Sequence, residues 1–327
     1  MGAQWSQFFP PTPTFTEGDV GTQEGRVFVI TGGYSGIGFE ISKVLYQHKG
    51  RVYIAGRSAA KANEAIKTIR ETVPDNNGGS IEFLHLDLED LSTIKTAAQD
   101  LSAKEAKIDV LWNNAGVSQP PIGSVSKQGF ELQIAVNCLG PFLFTKLLWP
   151  LLEDGAAASA LRSGSVRVLW PSSQFMELSA PTGGIVMAEL LNPPPDKARN
   201  YANSKTGNLF LATEFAKRLG SHSGIVSAAY NPGAASTNLF RHTPWLGIVA
   251  RPLMHKAQRA ALTALYAGLS ENIKAETHNG CYVVPWGRIS TSLRKDLQNA
   301  TVGREDGGTG AASDFWDFCE EKTRDYA

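Results

Sequence analysis

Short apolar segments alternate with amphipathic segments along most of the chain. β-Branched and aromatic residues dominate several of the apolar segments, as expected of strands buried in a sheet: residues 26–31, 51–55, 81–86, 108–112, 165–170 and 281–284. Strands that alternate with helices over short connections predict an α/β fold, a single doubly wound, Rossmann-type parallel sheet with helices on both faces. Ligands bind beyond the carboxyl ends of such strands, so the residues that follow each strand are the first candidates for chemistry.

A glycine-rich turn follows the first of these segments. Residues 31–38 read TGGYSGIG, and a helical pattern begins directly after them. Glycine tolerates positive φ and lets backbone approach a ligand closely, while a helix N-terminus supplies free N–H groups to a pyrophosphate. A strand, a glycine turn and a helix in this order favour a dinucleotide site over a merely structural tight turn. The predicted cofactor contacts here are Gly32, Gly36, Ile37 and Gly38.

The end of the second strand carries a basic residue where an acidic one would bind the ribose of NAD. Arg57 stands there, and Lys61 follows on the first turn of the next helix. A guanidinium group can pair bidentately with the 2′-phosphate of NADP, and Lys61 can assist it. The sequence therefore predicts NADP(H) as the cofactor, with a solvent-exposed arginine at a strand end as the alternative.

Polar residues also follow the third and fourth strands. Asp87 can accept a hydrogen bond from an exocyclic amine such as that of adenine, or it can cap the next helix. Asn114 belongs to the sequence NNAG at 113–116, whose small and amide residues suit a crevice where backbone approaches a ligand. Both residues are predicted to contact the cofactor.

Tyr201 and Lys205 lie four residues apart at the start of a helical pattern, so both side chains are expected on one helix face. A phenol has an ordinary pKa of about 10, and a nearby ammonium group would lower it by favouring the phenolate. Such a pair suits proton transfer at neutral pH. A helix with both residues on its polar surface is the alternative.

Two further polar residues are candidates for the same chemistry. Asn137 lies in an otherwise apolar helix, where its amide must bind a backbone carbonyl or else kink the helix and hold a water. Ser173 follows the fifth strand, where a hydroxyl can cap a helix or donate to a substrate oxygen. Ser172 beside it is the alternative for that second role.

Together these motifs resemble those of the short-chain dehydrogenase/reductase family over about residues 24–295. The shared patterns are TGxxxGIG at 31–38, NNAG at 113–116, the helix Asn137, the strand-end Ser173, YxxSK at 201–205, and the Pro-Gly pair at 232–233 with Thr237 downstream. The resemblance implies that Gly233 and Thr237 also contact the nicotinamide cofactor, as do Tyr201 and Lys205.

The resemblance also implies a role for each catalytic residue. Tyr201 would be the general acid/base, and Lys205 would lower its pKa and bind the nicotinamide ribose. Ser173 would polarise the substrate oxygen, while Asn137 would support a proton-relay water. Hydride would pass between the nicotinamide and the carbon that bears this oxygen, because carbonyl reduction needs a hydride donor and a proton for the developing alkoxide.

The segment between Ser173 and Tyr201 is longer than in small members of the family. This insert, residues 174–200, resembles the retinol-dehydrogenase-like and WW-domain-oxidoreductase-like branch, including enzymes of fungal secondary metabolism. Asn231 stands where a histidine is frequent, and alanines occupy 234–235 where a larger residue often lies. Both departures concern the substrate pocket.

The remaining segments frame one catalytic domain. Residues 1–24 are predicted to be an N-terminal arm, residues 25–300 the Rossmann-type domain, and residues 301–327 a flexible linker with a short C-terminal helix that docks back or forms a dimer contact. Residues 238–256 are rich in aromatic and aliphatic residues, which suits a lid over an apolar substrate or a core-packing helix.

Composition narrows the class of protein without naming a substrate. The 327 residues include 31 basic and 31 acidic ones, so the charge indicates neither a nucleic-acid partner nor a basic membrane anchor. The cysteines form no CxxC pair and the histidines show no metal-ligand spacing, so no metal site is predicted. We find no secretory signal and no apolar run of membrane-spanning length, and Met-Gly at the start fits a myristoylation site only loosely. A cytoplasmic protein is expected, and a homodimer stays open.

We therefore expect an NADP-dependent oxidoreductase that reduces a ketone or aldehyde of a bulky apolar small molecule, or oxidises the corresponding alcohol. The insert and the lid favour a biosynthetic intermediate such as a polyketide, a terpenoid, a steroid or a retinoid-like aldehyde. A regulator that keeps the fold and senses NADP(H) is the alternative. A third hypothesis is an enzyme that couples the nicotinamide to epimerisation or cyclisation.

Overall fold

One sheet forms the centre of the computed structural model, which describes residues 2–73, 78–158, 163–236 and 254–327. Its strands are β1 (Val27–Thr31), β2 (Arg51–Gly56), β3 (Ser80–His85), β4 (Val110–Trp112), β5 (Arg167–Pro171), β6 (Val226–Tyr230), β7 (Tyr282–Val284) and β8 (Arg288–Ile289). The spatial order of these eight strands is β3-β2-β1-β4-β5-β6-β7-β8. Strands β1 to β7 run parallel, and β8 pairs antiparallel with β7.

This sheet confirms the predicted α/β fold and corrects it at one edge. The sequence VSAAY of β6 is fully buried but rich in small residues, so it lacks the bulky apolar signal of a buried strand. β8 has only two residues, too few to show any periodicity. The last strand predicted from the sequence, 281–284, corresponds to β7. It does not form the edge of the sheet, because the antiparallel β8 pairs with its outer side.

Helices cover both faces of the sheet. They are α1 (Gly2–Phe8), α2 (Gly36–Gln47), α3 (Ala59–Arg70), α4 (Leu91–Ser102), α5 (Leu132–Ala158), α6 (Gln174–Ser179), α7 (Ala188–Leu191), α8 (Lys197–Phe215), α9 (Ala257–Leu269), α10 (Ala275–His278), α11 (Lys295–Ala300) and α12 (Ala311–Thr323). Successive residues of β1 point to opposite faces: Val27 and Val29 join the core under α4, α5 and α8, whereas Phe28 and Ile30 join the core under α2, α3 and α9. This two-sided burial explains the continuous apolar run of the strand.

Helix α8 begins earlier than the sequence pattern indicates. Asp196 caps it by accepting hydrogen bonds from the backbone N–H groups of Ala198 and Arg199 at 2.9 and 3.0 Å. Tyr201 and Lys205 therefore lie within the helix and not at its first turn. The position is buried and rigid, which suits a catalytic pair.

Helix α5 crosses the core beneath the sheet. Among the described residues it is the one helix long and apolar enough to span a membrane, and 83% of its most apolar stretch is buried inside the protein. This burial identifies a core helix, and it corrects the expectation that no apolar run reaches that length. A π-turn at Ala135–Leu139 interrupts its regular hydrogen bonding close to the carboxyl ends of the strands.

The C-terminal segment is held against the domain. Residues 301–310, part of the predicted linker, form hydrogen-bonded turns, for example from Thr309 N to Asn299 O at 3.1 Å. The polar composition of this stretch is typical of turns. Helix α12 then packs back on α5 and α8, where the Trp316 ring lies 4.9 Å from Phe142 and 4.6 Å from Phe215.

Candidate active site

A cleft of about 1050 Å³ lies at the carboxyl ends of β1, β2, β4, β5 and β6. Most of the site residues predicted from the sequence line it: Gly32, Gly36, Ile37, Arg57, Lys61, Asp87, Asn114, Ser173, Tyr201, Lys205 and Gly233. Gly38 and Asn137 support this wall from behind. Thr237 lies outside the described residues, as do positions 238–253 of the predicted lid.

The glycine turn gives the cleft one of its walls. Gly32 and Gly36 have φ values of 67° and 55°, which residues with a side chain rarely adopt. A Cβ atom at Gly38 would lie 2.6 Å from Asn114 Nδ2 and from the carbonyl oxygen of Gly32, so this position admits only glycine. The first turn of α2 can therefore border the cleft with its free N–H groups, an arrangement that fits a pyrophosphate.

Asn114 is anchored to the same turn. Its Nδ2 donates to the backbone oxygen of Thr31 at 3.0 Å, and the Oγ1 of Thr31 accepts from Ala115 N at 2.8 Å. These bonds join the loops that follow β1 and β4. The side chain of Asn114 thus stabilises the glycine turn that lines the cleft.

Arg57 lies at the predicted end of the cleft but has two carboxylates beside it. Its Nη1 lies 2.6 Å from Glu89 Oε1, and its Nε lies 4.0 Å from Asp87 Oδ1. The Asp87 carboxylate accepts from Glu89 N at 2.9 Å, whereas Asp90 caps α4. The capping alternative for Asp87 is therefore wrong. A phosphate bound by Arg57 would compete with Glu89, which the sequence did not indicate.

Tyr201 and Lys205 lie one turn apart on the buried side of α8. The Nζ of Lys205 lies 5.6 Å from the centre of the Tyr201 ring and donates to the backbone oxygen of Pro171 at 2.8 Å. Burial raises the pKa of Tyr201 and lowers the pKa of Lys205 to about 8. The net shift of the Tyr201 pKa is therefore upward and not downward as expected, because burial disfavours the phenolate.

The two serines after β5 have different surroundings. Ser172 is buried, and its hydroxyl donates to the backbone oxygen of Lys205 at 2.8 Å. Ser173 caps α6 by accepting from Phe175 N at 3.1 Å, which leaves its own hydroxyl proton able to point into the cleft. This difference favours Ser173 as the donor to a substrate oxygen, and Ser172 as a support for Lys205.

Asn137 occupies the π-turn of α5. Its Oδ1 accepts from Val117 N at 2.8 Å, while its Nδ2 donates to Val117 O at 3.0 Å and to Ser204 Oγ at 2.9 Å. The amide therefore binds backbone, the first alternative above, and the helix is also locally widened. Asn137 ties the loop after β4 to α8, next to the Tyr201–Lys205 pair.

The insert 174–200 forms the wall beside Tyr201. The Phe175 ring, on α6, lies 5.7 Å from the Tyr201 ring. Two hydrogen bonds of 2.9 Å join Arg199 to Glu189, and Asn203 donates to the same carboxylate at 2.9 Å. These bonds fasten α7 to the start of α8 and hold the insert against this helix.

Several residues of the cleft were not predicted from the sequence: Phe8, Tyr34, Glu89, Gln119, Phe175 and Leu178. Tyr34 had a signal, since it lies within TGGYSGIG, and its ring packs so closely over Gly56 that a Cβ there would collide with it. Phe8 had none, because only the three-dimensional fold brings the N-terminal arm to this site.

Comparisons with known proteins agree with this geometry. The short chain dehydrogenase family model matches residues 26–189. The short-chain dehydrogenase/reductase iacJ of Pestalotiopsis fici is 42% identical over 321 residues, which cover 97% of this chain and 96% of the relative. The short-chain dehydrogenase/reductase pkfC of Emericella nidulans is 40% identical over 317 residues, 96% of this chain and 97% of the relative. The chain belongs to the short-chain dehydrogenase/reductase family and is an oxidoreductase, as the motifs implied.

Solved structures show the same fold. A protein from Mycobacterium paratuberculosis is 26% identical with a TM-score of 0.70, covering 95% of this chain and 97% of its own. The 3-ketoacyl-(acyl-carrier-protein) reductase of Brucella melitensis, complexed with NADH, is 22% identical with a TM-score of 0.61, covering 81% and 98%. The NADP complex of RhlG from Pseudomonas aeruginosa is 24% identical with a TM-score of 0.54, covering 89% and 92%. The last two of these structures contain nicotinamide dinucleotides, NADH and NADP respectively.

Proposed function

We propose that this protein is an NADP(H)-dependent reductase of a ketone or aldehyde on a bulky apolar small molecule, with the alcohol oxidation as its reverse. One observation carries the proposal: Tyr201, Lys205 and Ser173 line the same cleft as the glycine turn and Arg57. The proposed proton donor and the proposed cofactor-binding residues thus line the same cleft. A biosynthetic substrate in a fungal cell is consistent with the relatives from Pestalotiopsis fici and Emericella nidulans.

The residues fit a nicotinamide dinucleotide. The glycine turn and the first turn of α2 would hold the pyrophosphate, while Arg57 and Lys61 would hold a 2′-phosphate. Lys205 would lie near the nicotinamide ribose. When bound, the reduced nicotinamide supplies the hydride to the carbonyl carbon.

The catalytic side chains would manage the proton and the developing charge. Tyr201 would give its hydroxyl proton to the alkoxide oxygen, and Ser173 would donate a hydrogen bond to the same oxygen. Lys205, placed against the Tyr201 ring, would stabilise the phenolate left behind. Asn137 would fix the position of the loop after β4 relative to helix α8.

The substrate end of the cleft is apolar. Phe175 and Leu178 of the insert line it together with Phe8 of the N-terminal arm. Their location beside Tyr201 favours a large hydrophobic carbonyl compound over a small polar one.

The cofactor preference tests this proposal directly. Oxidation of NADPH and of NADH is followed with a panel of bulky and small ketones for the parent, Arg57→Asp and Glu89→Gln. We expect faster NADPH oxidation with bulky ketones in the parent, a shift towards NADH in Arg57→Asp, and tighter NADPH binding in Glu89→Gln because the competing carboxylate is removed.

Three results would count against the proposal. Unchanged NADPH affinity in Arg57→Asp would mean that another group reads the phosphate. If the parent oxidised NADH as fast as NADPH, it would have no preference for NADPH. NADPH binding without consumption of any carbonyl would favour a sensor instead of a reductase.

A further inference from the structure

The N-terminal arm reaches the candidate active site through α1. Gln7 is 6% exposed, and its Nε2 donates to Glu177 Oε1 at 2.9 Å. Its Oε1 accepts from Asn231 Nδ2 at 2.9 Å. Both partners are themselves buried, at 5% and 2% exposure. One side chain of the arm thus joins the helix after β5 to the loop after β6.

This attachment accounts for an unusual residue of the chain. The Oδ1 of Asn231 accepts from Gly233 N at 2.9 Å, so the side chain shapes the cofactor loop on one side and binds Gln7 on the other. A second contact supports the arm, since Arg288 Nη2 donates to the backbone oxygen of Ser6 at 2.7 Å. Asn231, noted above as a departure from the frequent histidine, is complementary to the amide of Gln7.

The next residue of the arm enters the cleft. Phe8 is partly buried and lines the cleft together with Phe175 and Leu178, whereas its neighbour Phe9 is 50% exposed and stacks on Trp5 at 4.5 Å. The partners of Gln7 lie at the ends of β5 and β6, close to Ser173 and far from the Arg57 end in the strand order. The arm therefore covers the substrate half of the cleft.

We propose that α1 forms the substrate-side wall of the cleft, with Phe8 setting the bulk of the compound that reaches Tyr201 and Gln7 positioning the wall. The inference rests on the proposed function, because it takes the apolar half of the cleft as the place of the carbonyl substrate. It makes Phe8 a specificity-determining residue and Gln7 a positioning residue.

Thiol labelling tests the wall without a known substrate. Ser173→Cys places a thiol in the cleft, and its rates of reaction with N-ethylmaleimide and with the bulky N-(1-pyrenyl)maleimide are measured by mass spectrometry. The rates of the parent chain, whose cysteines are buried or partly buried, are subtracted. Adding Phe8→Ala should raise the pyrenyl rate severalfold and change the N-ethylmaleimide rate little, while Phe9→Ala should change neither. Equal effects of the two substitutions, or a parallel rise with both reagents, would overturn the wall.

A charge swap tests the positioning by Gln7. Gln7→Glu in the Ser173→Cys chain places two carboxylates in contact and should raise the pyrenyl rate as Phe8→Ala does. Adding Glu177→Gln again pairs one amide with one carboxylate at this contact, so the rate should return towards that of Ser173→Cys alone. Two results together would show that Gln7 does not hold the wall. The swap would fail to restore the pyrenyl rate, and Gln7→Leu would leave that rate as it is in Ser173→Cys alone.

Turnover separates this inference from the proposed function. In chains that keep Ser173, Phe8→Ala should shift the ratio of kcat/KM between bulky and small ketones, with unchanged NADPH affinity. If labelling responds as expected but no ketone is reduced, the wall stands and the proposed function fails. If ketones are reduced and Phe8→Ala behaves like Phe9→Ala in both assays, the function stands and the wall fails.

Discussion

At the scale of single residues, the burial of the charged Lys205 lowers the stability of the folded protein. Lys205 is 5% exposed, and its ammonium group donates to the Pro171 carbonyl at 2.8 Å. Burial lowers its pKa from 10.5 to about 8. A shift of this size corresponds to roughly 3 kcal/mol of unfavourable free energy for the charged form in the folded protein. The position therefore costs the fold stability, as expected of a residue that serves the proposed chemistry.

Removal of this charge should stabilise the protein in a pH-dependent way. Below pH 8 Lys205 is charged in the folded and unfolded states, so its burial penalty is fully present. Between pH 8 and 10.5 the unfolded chain holds more protons, and the stability of the parent rises. Urea unfolding of Lys205→Met should thus show a gain at pH 7, at most about 3 kcal/mol, that shrinks towards pH 10.5.

The exposed Lys67 supplies a matched control for that experiment. Lys67→Met should show no such pH-dependent gain. A destabilisation of Lys205→Met that is equal at both pH values would contradict the account, because it would mean that packing and not charge dominates at this position.

At the scale of elements, Arg294 fastens the insert to the domain. Its Nη1 donates to the carbonyl oxygens of Glu177 and Ala180 at 3.0 and 3.1 Å, and its Nη2 donates to Pro181 O at 2.8 Å. Asp296 pairs with the same guanidinium and accepts from Gly183 N at 2.9 Å. The first half of the insert is thus held by a distant part of the chain.

Arg294→Ala should loosen the insert without unfolding the domain. Loss of these bonds leaves several carbonyls without their charged donor, which we expect to lower the local opening free energy by about 1–3 kcal/mol. Hydrogen exchange should speed up in residues 177–184, and kcat/KM for a bulky ketone should fall while NADPH affinity holds. The control is Arg304→Ala, whose arginine pairs with Asp314 at the surface. Equal exchange in the two variants would refute the fastening role.

At the scale of the whole molecule, the residues that follow the strands could be predicted from the sequence to lie at one site. A parallel sheet brings all its carboxyl ends to one edge, so motifs far apart in sequence that follow strands, such as TGGYSGIG and NNAG, had to meet there. This rule located the cleft and the predicted residues at the strand ends that line it. The preference for Ser173 over Ser172 came from the family resemblance. Both serines line the cleft, but the hydroxyl of Ser172 donates to the backbone oxygen of Lys205.

What the sequence could not show depends on packing between distant segments. The carboxylate of Glu89 on Arg57 and the arm residues Gln7 and Phe8 follow no motif. The tail was readable as an amphipathic helix, but its docking surface on α5 and α8 was not. The burial that raises the pKa of Tyr201 is likewise not visible in the spacing of the motif.

The central claim is that Tyr201 is the acid/base of a carbonyl reduction, and Tyr201→Phe tests it most directly. The substitution removes only the hydroxyl, so NADPH affinity, measured by the fluorescence of the bound cofactor, should stay within about twofold of the parent. The kcat for NADPH oxidation with a bulky ketone should fall by about 10²–10⁴. Near-parental turnover in Tyr201→Phe would contradict the account.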